Sequence, residues 1–311
     1  MKILKKKGST LIPIQERPFK LERDLQNLVE ANLKELLDLT LVKSEYTIKQ
    51  SRFDTLAFDS ERNSFVIIEY KRNTNYSVVD QGISYLNTML ANKAEFQVEY
   101  SETFNTYLKR DDIDWSQTRV LFVAPSFTAY QKQAVNFKDL PIELCEVKQF
   151  EDETLYVNLL SKSAGAPTLQ GLQSSNNSVS KNSESLSKIT KELKPYTEEE
   201  LLKGKPEEIR ELYEEFRSSI LNLNNDITVS AQKHYISFKL KGNIVDIEVQ
   251  NKALKIWLNM PFGKLNDAEK LARNVNTIGH FGNGDYEIKV QNSDNLEYIM
   301  SLVKQVIKDK L

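Results

Sequence analysis

Asp54, Glu69 and Lys71 are the residues whose types and spacing could do chemistry. They sit in two strand-like runs, Ser51–Asp59 and Ser64–Lys71, split by the polar turn Ser60-Glu61-Arg62-Asn63. A four-residue loop pairs Asp59 with Ser64, and Asp54 then falls opposite Glu69. Facing residues of an antiparallel pair have Cβ atoms ~4.5–5.5 Å apart. Two carboxylates that close repel unless a cation lies between them. Lys71, two residues after Glu69, shares its face by strand alternation. That face also carries Leu56, Phe58, Phe65 and Ile67, while the other reads Phe53, Thr55, Ala57, Val66, Ile68 and Tyr70. Both faces are apolar enough for a strand pair covered on both sides. Burying three ionisable groups at its end is costly without partners. A divalent cation held by Asp54 and Glu69, with Lys71 beside it, relieves that cost. The set suits phosphodiester hydrolysis. Carboxylate oxygens bind Mg²⁺ or Mn²⁺, the metal activates a water and stabilises transition-state charge, and a lysine orients or deprotonates that water.

The elements that must position these residues follow from periodicity. Leu21, Leu25, Leu28, Val29, Leu33, Leu36 and Leu37 recur at helical spacing ahead of the hairpin. A second helix is expected from about Ser77 to Asn92. Strands at Arg119–Ala124, Ile142–Val147 and Leu155–Asn158, with a helix at Thr128–Phe137, complete an α/β domain with a mixed central sheet flanked by helices. From Ser161 to Thr190, Ser, Asn and Gly make up 14 of 30 residues and aromatics are absent. Such composition cannot offset its ordering entropy, so residues 161–205 read as a flexible linker between a domain at 1–160 and another at 206–311. The second domain reads as a helix at Pro206–Leu223 and strands at Tyr235–Leu240, Ile244–Gln250 and Leu254–Met260. A short helix at about Asp267–Asn274, a glycine-rich turn at Gly279–Gly284, a strand at Asp285–Gln291 and a helix at Ser293–Lys308 follow. This is a small α+β unit with an antiparallel sheet.

Asp54 followed by Glu69-x-Lys71 at the end of the next apolar strand resembles the PD-(D/E)xK nuclease superfamily, with Phe53 where the motif name has Pro. Gln81-Gly82-Ile83-Ser84-Tyr85 on the following helix resembles the QxxxY motif of RecB-like and NucS-like members. The leading helix Leu25–Leu33 resembles their first helix, and Val123-Ala124-Pro125-Ser126 their fourth core strand and loop. The resemblance covers about residues 16–160. It implies a restriction-endonuclease-like fold and a Mg²⁺- or Mn²⁺-dependent DNA endonuclease. Asp54, Glu69 and the Tyr70 backbone carbonyl would hold the metal, Lys71 would serve the water, Gln81 would contact the scissile region, and Glu30 would be an auxiliary acid facing the metal. Related nucleases act as dimers, so a homodimer is within what the resemblance allows. Residues 207–308, from Ile236-Ser237-Phe238-Lys239 to Ile278-Gly279-His280-Phe281-Gly282-Asn283-Gly284-Asp285, resemble an uncharacterised domain appended to predicted nucleases.

Asp54, Glu69 and Lys71 could form a structural salt bridge, but the QxxxY residues at the expected place favour a site. Glu30 could equally be a surface glutamate. Lys5–Lys7 reads as a solvated tail, Arg72 as solvent-facing or phosphate-contacting, Cys145 as core, and His280 as packing a glycine turn. The alternative function is an inactive nuclease fold serving as a nucleic-acid or protein adaptor. One cysteine and two histidines exclude a disulfide and any cysteine-built zinc site. A net charge of −2 excludes a broadly basic nucleic-acid coat. No apolar run approaches the ~20 residues of a membrane span, and no signal core follows the basic N-terminus, so the expected compartment is cytoplasmic, with DNA as partner and no membrane.

Overall fold

The computed structural model describes residues 2–72, 77–163, 165–168, 192–193 and 196–311. The chain divides into two compact units, Met1–Pro195 and Tyr196–Leu311. Most of the Ser- and Asn-rich stretch read as a linker lies outside the described residues. Among the described residues, no helix is long and apolar enough to cross a membrane.

The first unit runs β1 (Leu4–Lys7), β2 (Thr10–Pro13), α1 (Glu22–Ala31), α2 (Leu33–Leu37), β3 (Thr40–Ile48), β4 (Ser51–Asp59), β5 (Ser64–Tyr70), α3 (Val78–Ala91), α4 (Lys93–Phe104), β6 (Arg119–Ala124), α5 (Ala129–Ala134), β7 (Ile142–Gln149) and β8 (Leu155–Leu160). Strands β3 to β8 form a six-stranded sheet in chain order. The β5–β6 and β6–β7 pairs are parallel and the others antiparallel. β5 and β6 are buried along their whole lengths, as strands covered on both faces must be. On one face α1 and α2 set Leu25, Val29 and Leu33 against Ala57, Val66, Ile68 and Tyr70. Each such side chain contributes roughly 1.5–3 kcal/mol on full burial. On the other face α3 and α4 set Leu86, Met89 and Phe96 against Leu56, Phe65, Ile67 and Phe122. Cys145 is core, as expected, and burial pushes its thiol up to about 12. The expected fold class holds: a mixed central sheet flanked by helices, with a separate antiparallel unit.

Five sequence expectations differ from the structure here. Lys5–Lys7, expected as a solvated tail, are the exposed strand β1 of a hairpin with β2, turned at Gly8. The leading helix is broken at Asn32, whose side-chain amide donates back to Leu28 O while its backbone leaves the helical region. Helix α5 is shorter than Thr128–Phe137 because it ends at Ala134. Strand β3 and helix α4 were not anticipated. In β3 the alternation of Val42, Tyr46 and Ile48 is interrupted by a register shift between Leu41 and Lys43, and in α4 the only buried residue is Phe96.

The second unit consists of α6 (Glu198–Leu202), α7 (Glu207–Leu221), β9 (Thr228–Ala231), β10 (Ile236–Lys239), β11 (Asn243–Val249), β12 (Leu254–Leu258), β13 (Arg273–Asn274), β14 (Tyr286–Val290) and α8 (Leu296–Lys310). Its sheet has the order β13-β14-β12-β11-β10-β9 and is antiparallel throughout. Tyr213 and Phe216 of α7 and Val303 and Val306 of α8 fill one face. On the other, Ser237, Asp246, Trp257 and Glu287 form a buried cross-strand row. The glycine-rich segment lies on this row. A Cβ at Gly282 would stand 2.3 Å from the Trp257 indole, and Asn283 N–H donates to Asp246 at 2.6 Å. His280 closes the turn between the carbonyls of Ile278 and Gly284, the packing role read from its neighbours. The helix expected at Asp267–Asn274 does not form. The Asp267 carboxylate takes the backbone N–H of Ala272 and the Tyr298 hydroxyl, both at 2.8 Å, and Arg273–Asn274 pair with β14. A carboxylate that captures local N–H groups competes with helix formation.

Candidate active site

The hairpin register follows from its turn. Asp59 pairs with Ser64, Leu56 with Ile67 and Thr55 with Ile68. That ladder stops one step short of Asp54 and Glu69. There the Asp54 carboxylate accepts the Tyr70 N–H at 2.9 Å. The Asp54 carbonyl accepts the side-chain amide of the buried Gln26 at 3.0 Å. Strand alternation breaks at the same point. Phe53 was expected on the face of Thr55, away from Leu56 and Phe58, yet it packs with Tyr46, Tyr85 and Phe96 in the cluster that holds Leu56 and Phe58. Glu45, which faces this position from β3, has a φ of 54°. A side chain-bearing residue in the left-handed region marks a local kink. The candidate acid thus sits where the strand leaves its regular ladder.

Glu69 is 4% exposed. Its Oε1 accepts Lys71 Nζ at 2.7 Å and Gln81 Nε2 at 2.6 Å. Its Oε2 is buried without a hydrogen-bond partner. Burial, and then the charge of Glu69, push Asp54 up to about 6, against the opposing Tyr70 N–H and Lys71 charge. Gln81 also donates to the Tyr85 hydroxyl at 2.8 Å, and that hydroxyl donates to the Arg52 carbonyl at 3.3 Å. Gly82 allows this reach. A Cβ there would stand 2.5 Å from Ile142 Cδ1, so α3 lies closer to the sheet than a larger residue permits.

Asp54, Glu69, Lys71, Gln81 and Tyr85 are therefore brought together. Glu30 is placed otherwise. Its carboxylate accepts Thr55 Oγ1 and Gln26 Nε2 on the α1 face. It is tied to β4 through Thr55, which is itself bonded to the Tyr70 hydroxyl, and no hydrogen bond or ion pair joins it to Glu69 or Lys71 among those seen. Arg72 is tied back to the start of α1 through Glu22 and the Lys20 carbonyl. Glu45, Arg52, Arg23 and Gln26 escaped the sequence reading. For Glu45 the available signal was its place directly across from Asp54 once β3 is recognised.

Among the described residues, no three His, Cys, Asp or Glu side chains are close enough to hold a metal ion by themselves. The donors expected from the sequence are two carboxylates and the Tyr70 carbonyl, and the structure brings the two carboxylates to one end of the hairpin. That is a modest set of the kind Mg²⁺ accepts when waters and substrate oxygens complete its shell. The orphaned Oε2 of Glu69 is the atom such an ion would satisfy.

An uncharacterised protein of Haemophilus influenzae is 51% identical over 309 residues, covering 99% of this chain and all of that protein. This chain belongs to that protein's family. Residues 198–306 match the domain of unknown function DUF5655, in line with the uncharacterised domain expected over about 207–308. Two solved structures are similar to part of this chain. One is a repair endonuclease from Pyrococcus abyssi, 19% identical over 42% of this chain and 50% of that one, with a TM-score of 0.26. The other is an EndoMS–dsDNA2 complex, 16% identical over 47% of this chain and 64% of that one, also with a TM-score of 0.26.

Proposed function

We propose that the N-terminal unit is a metal-dependent DNA endonuclease that hydrolyses phosphodiester bonds, tethered through the Ser- and Asn-rich stretch to a C-terminal unit that selects substrate or assembly state. One observation supports this above others: Glu69 is buried with Oε1 doubly bonded and Oε2 unpartnered, beside an Asp54 that burial and Glu69 push up to about 6. Leaving one carboxylate oxygen bare in the interior costs roughly 1–3 kcal/mol or more. A divalent cation held by Asp54, Glu69 and the Tyr70 carbonyl offsets that cost. When bound, Mg²⁺ or Mn²⁺ supplies Lewis acidity toward the phosphodiester and a water of lowered pKa.

The chain's own groups do the positioning. The Tyr70 N–H fixes the Asp54 carboxylate, and Gln26 fixes its backbone from the α1 side. Gln81 fixes the rotamer of Glu69 and is itself fixed by Tyr85. Lys71 carries its ammonium to the same carboxylate, where it can order the attacking water or a phosphate oxygen. Glu30, through Thr55, braces the strand that carries Asp54.

The test is cleavage of duplex, single-stranded, branched and mismatched DNA with Mg²⁺, Mn²⁺ or chelator. Cleavage is expected only with the cation. Asp54→Asn and Lys71→Ala should each lower it by about 10²–10⁴, the usual weight of a positioned acid–base group. Wild-type rates in both variants overturn the reading.

A further inference from the structure

A second group of charges flanks Asp54. Glu45 lies between the ladder pairs Ser44–Thr55 and Tyr46–Phe53, hence across from Asp54. Its carboxylate is 2.6 Å from Arg52 Nε, in close contact with Arg52 Nη2, and 3.8 Å from Arg23 Nη1. The Glu45 side chain is only 25% exposed, whereas Arg52 and Arg23 are 65% and 67% exposed. The acid is anchored and the guanidinium groups reach solvent.

The backbone at Arg52 has partners besides this pairing. Arg52 is placed by its ladder partner Thr47 and by the Tyr85 hydroxyl on its carbonyl. Exposed ion pairs contribute about 0–1 kcal/mol. What the pairing does is local. Glu45 adds negative charge that is felt at Asp54. A phosphodiester approaching Asp54 past Glu45 needs compensating cations, and Arg52 and Arg23 are paired with Glu45 there. A guanidinium fork binds carboxylate and phosphate in the same bidentate geometry, so a carboxylate seated there marks a place that phosphate also fits.

We propose that Arg52, assisted by Arg23, binds a backbone phosphate of the nucleic-acid strand entering the site, and that Glu45 is an internal stand-in that holds both guanidinium groups until the phosphate displaces it. The inference rests on the nuclease reading and extends it, assigning the strand-binding cations and a built-in competitor. Its signature is a pair of opposite effects. Removing the competitor tightens binding and removing the cation weakens it.

The experiment is equilibrium binding of labelled double- and single-stranded DNA to the full chain, by fluorescence anisotropy in Ca²⁺ across a salt series. Glu45→Gln should tighten binding about twofold to fivefold, the scale of one exposed ion pair. Arg52→Ala should weaken it about tenfold, as loss of a charge-assisted contact does. It should also flatten the slope of log Kd against log salt by about 0.9 on duplex or 0.7 on single strands. Arg23→Ala should act in the same direction with smaller size. Arg52→Lys should keep the slope and lose part of the affinity, since it keeps the charge without the fork. Thermal unfolding of each variant confirms that it is folded. Same-sign changes in Glu45→Gln and Arg52→Ala, or no change in either, overturn the inference. If cleavage disappears in Asp54→Asn while Arg52→Ala binds like wild type, the inference fails and the nuclease reading stands. If cleavage survives Asp54→Asn while the opposite effects on binding appear, the nuclease reading fails and the phosphate site stands. Absence of any DNA binding by the wild type overturns both.

Discussion

The two ends of strand β4 carry two ionic clusters built from the same residue types, and they behave in opposite ways. At the turn end, Asp59 accepts the N–H groups of Glu61 and Arg62 at 3.1 and 3.0 Å. It also takes Arg119 Nη2 at 2.9 Å, and Arg119 Nε bonds Glu143 at 3.0 Å. Burial pushes Asp59 and Glu143 up, but the Arg119 and Arg62 charges outweigh it and hold both carboxyls below their ordinary range. At the open end, burial and Glu69 prevail over every opposing group and Asp54 rises to about 6, with Glu69 Oε2 left without a partner. Both ends keep one buried polar atom without a partner, Arg119 Nη1 at the turn end and Glu69 Oε2 at the open end. The difference lies in the acids: at the turn end every carboxyl is held down by an arginine, as in a structural ion pair, whereas at the open end an acid is left raised, the pattern on which the proposed metal site rests.

The largest test of this contrast is thermodynamic. Arg119→Ala strands Asp59 and Glu143 in the interior and should cost about 3–5 kcal/mol in urea unfolding. Asp54→Asn should cost nothing and should stabilise the protein at neutral pH. The sign follows from linkage. Asp54 has a folded pKa raised above its unfolded value, so the fold disfavours its charged form, and wild-type stability falls as pH rises from about 4 through about 6. The advantage of Asp54→Asn should therefore be absent below about pH 4 and full above about pH 6, read by thermal unfolding across pH. A variant that is destabilised at pH 7 breaks the comparison.

A third test concerns the cation. Mn²⁺ titration should raise the melting temperature of the wild type, and the rise should shrink as pH falls through about 6, where Asp54 takes up a proton. Asp54→Asn should show a reduced shift, and Arg119→Lys, if folded, an unchanged one. The smallest effect is expected at Gln81. Gln81→Ala removes a bond to Glu69 without removing a charge, so cleavage should fall only about tenfold, with metal affinity weakened. Gln81→Ala turnover as low as that of Lys71→Ala would move Gln81 from a positioning role into direct chemistry.

The parts legible in the sequence were those fixed by local rules. The four-residue turn Ser60–Asn63 dictates the β4–β5 register, and the register brings Asp54 to the end that Glu69 and Lys71 occupy. The spacing of Gln81 and Tyr85 places both on one face of α3, and the pair meets Glu69. The parts that escaped depend on breaks in periodicity. Phe53 sits on the α3 face because the strand kinks at Asp54 opposite the left-handed Glu45, and alternation cannot announce its own interruption. Helix α4 lacks a marked apolar stripe, with Phe96 its single buried residue. Asp267 looks like an ordinary helix-start acid, yet its carboxylate closes a turn. Glu30 has the right helix and the right strand for its expected place, but Thr55 and Gln26 claim it first.

The carboxylate of Asp59 also has a consequence for the order in which the hairpin closes. Its bonds to Glu61 and Arg62 span two and three residues, so they form with little loop entropy. The zipper should start there and run toward Asp54, whose own bond to Tyr70 spans sixteen. In the native protein the same gradient should run backwards as local opening. The Tyr70 amide, which faces β4, should exchange its hydrogen sooner than the amides of Ile68 and Val66, which face the same strand. The end of the hairpin proposed to cut DNA is then the last to close and the first to breathe.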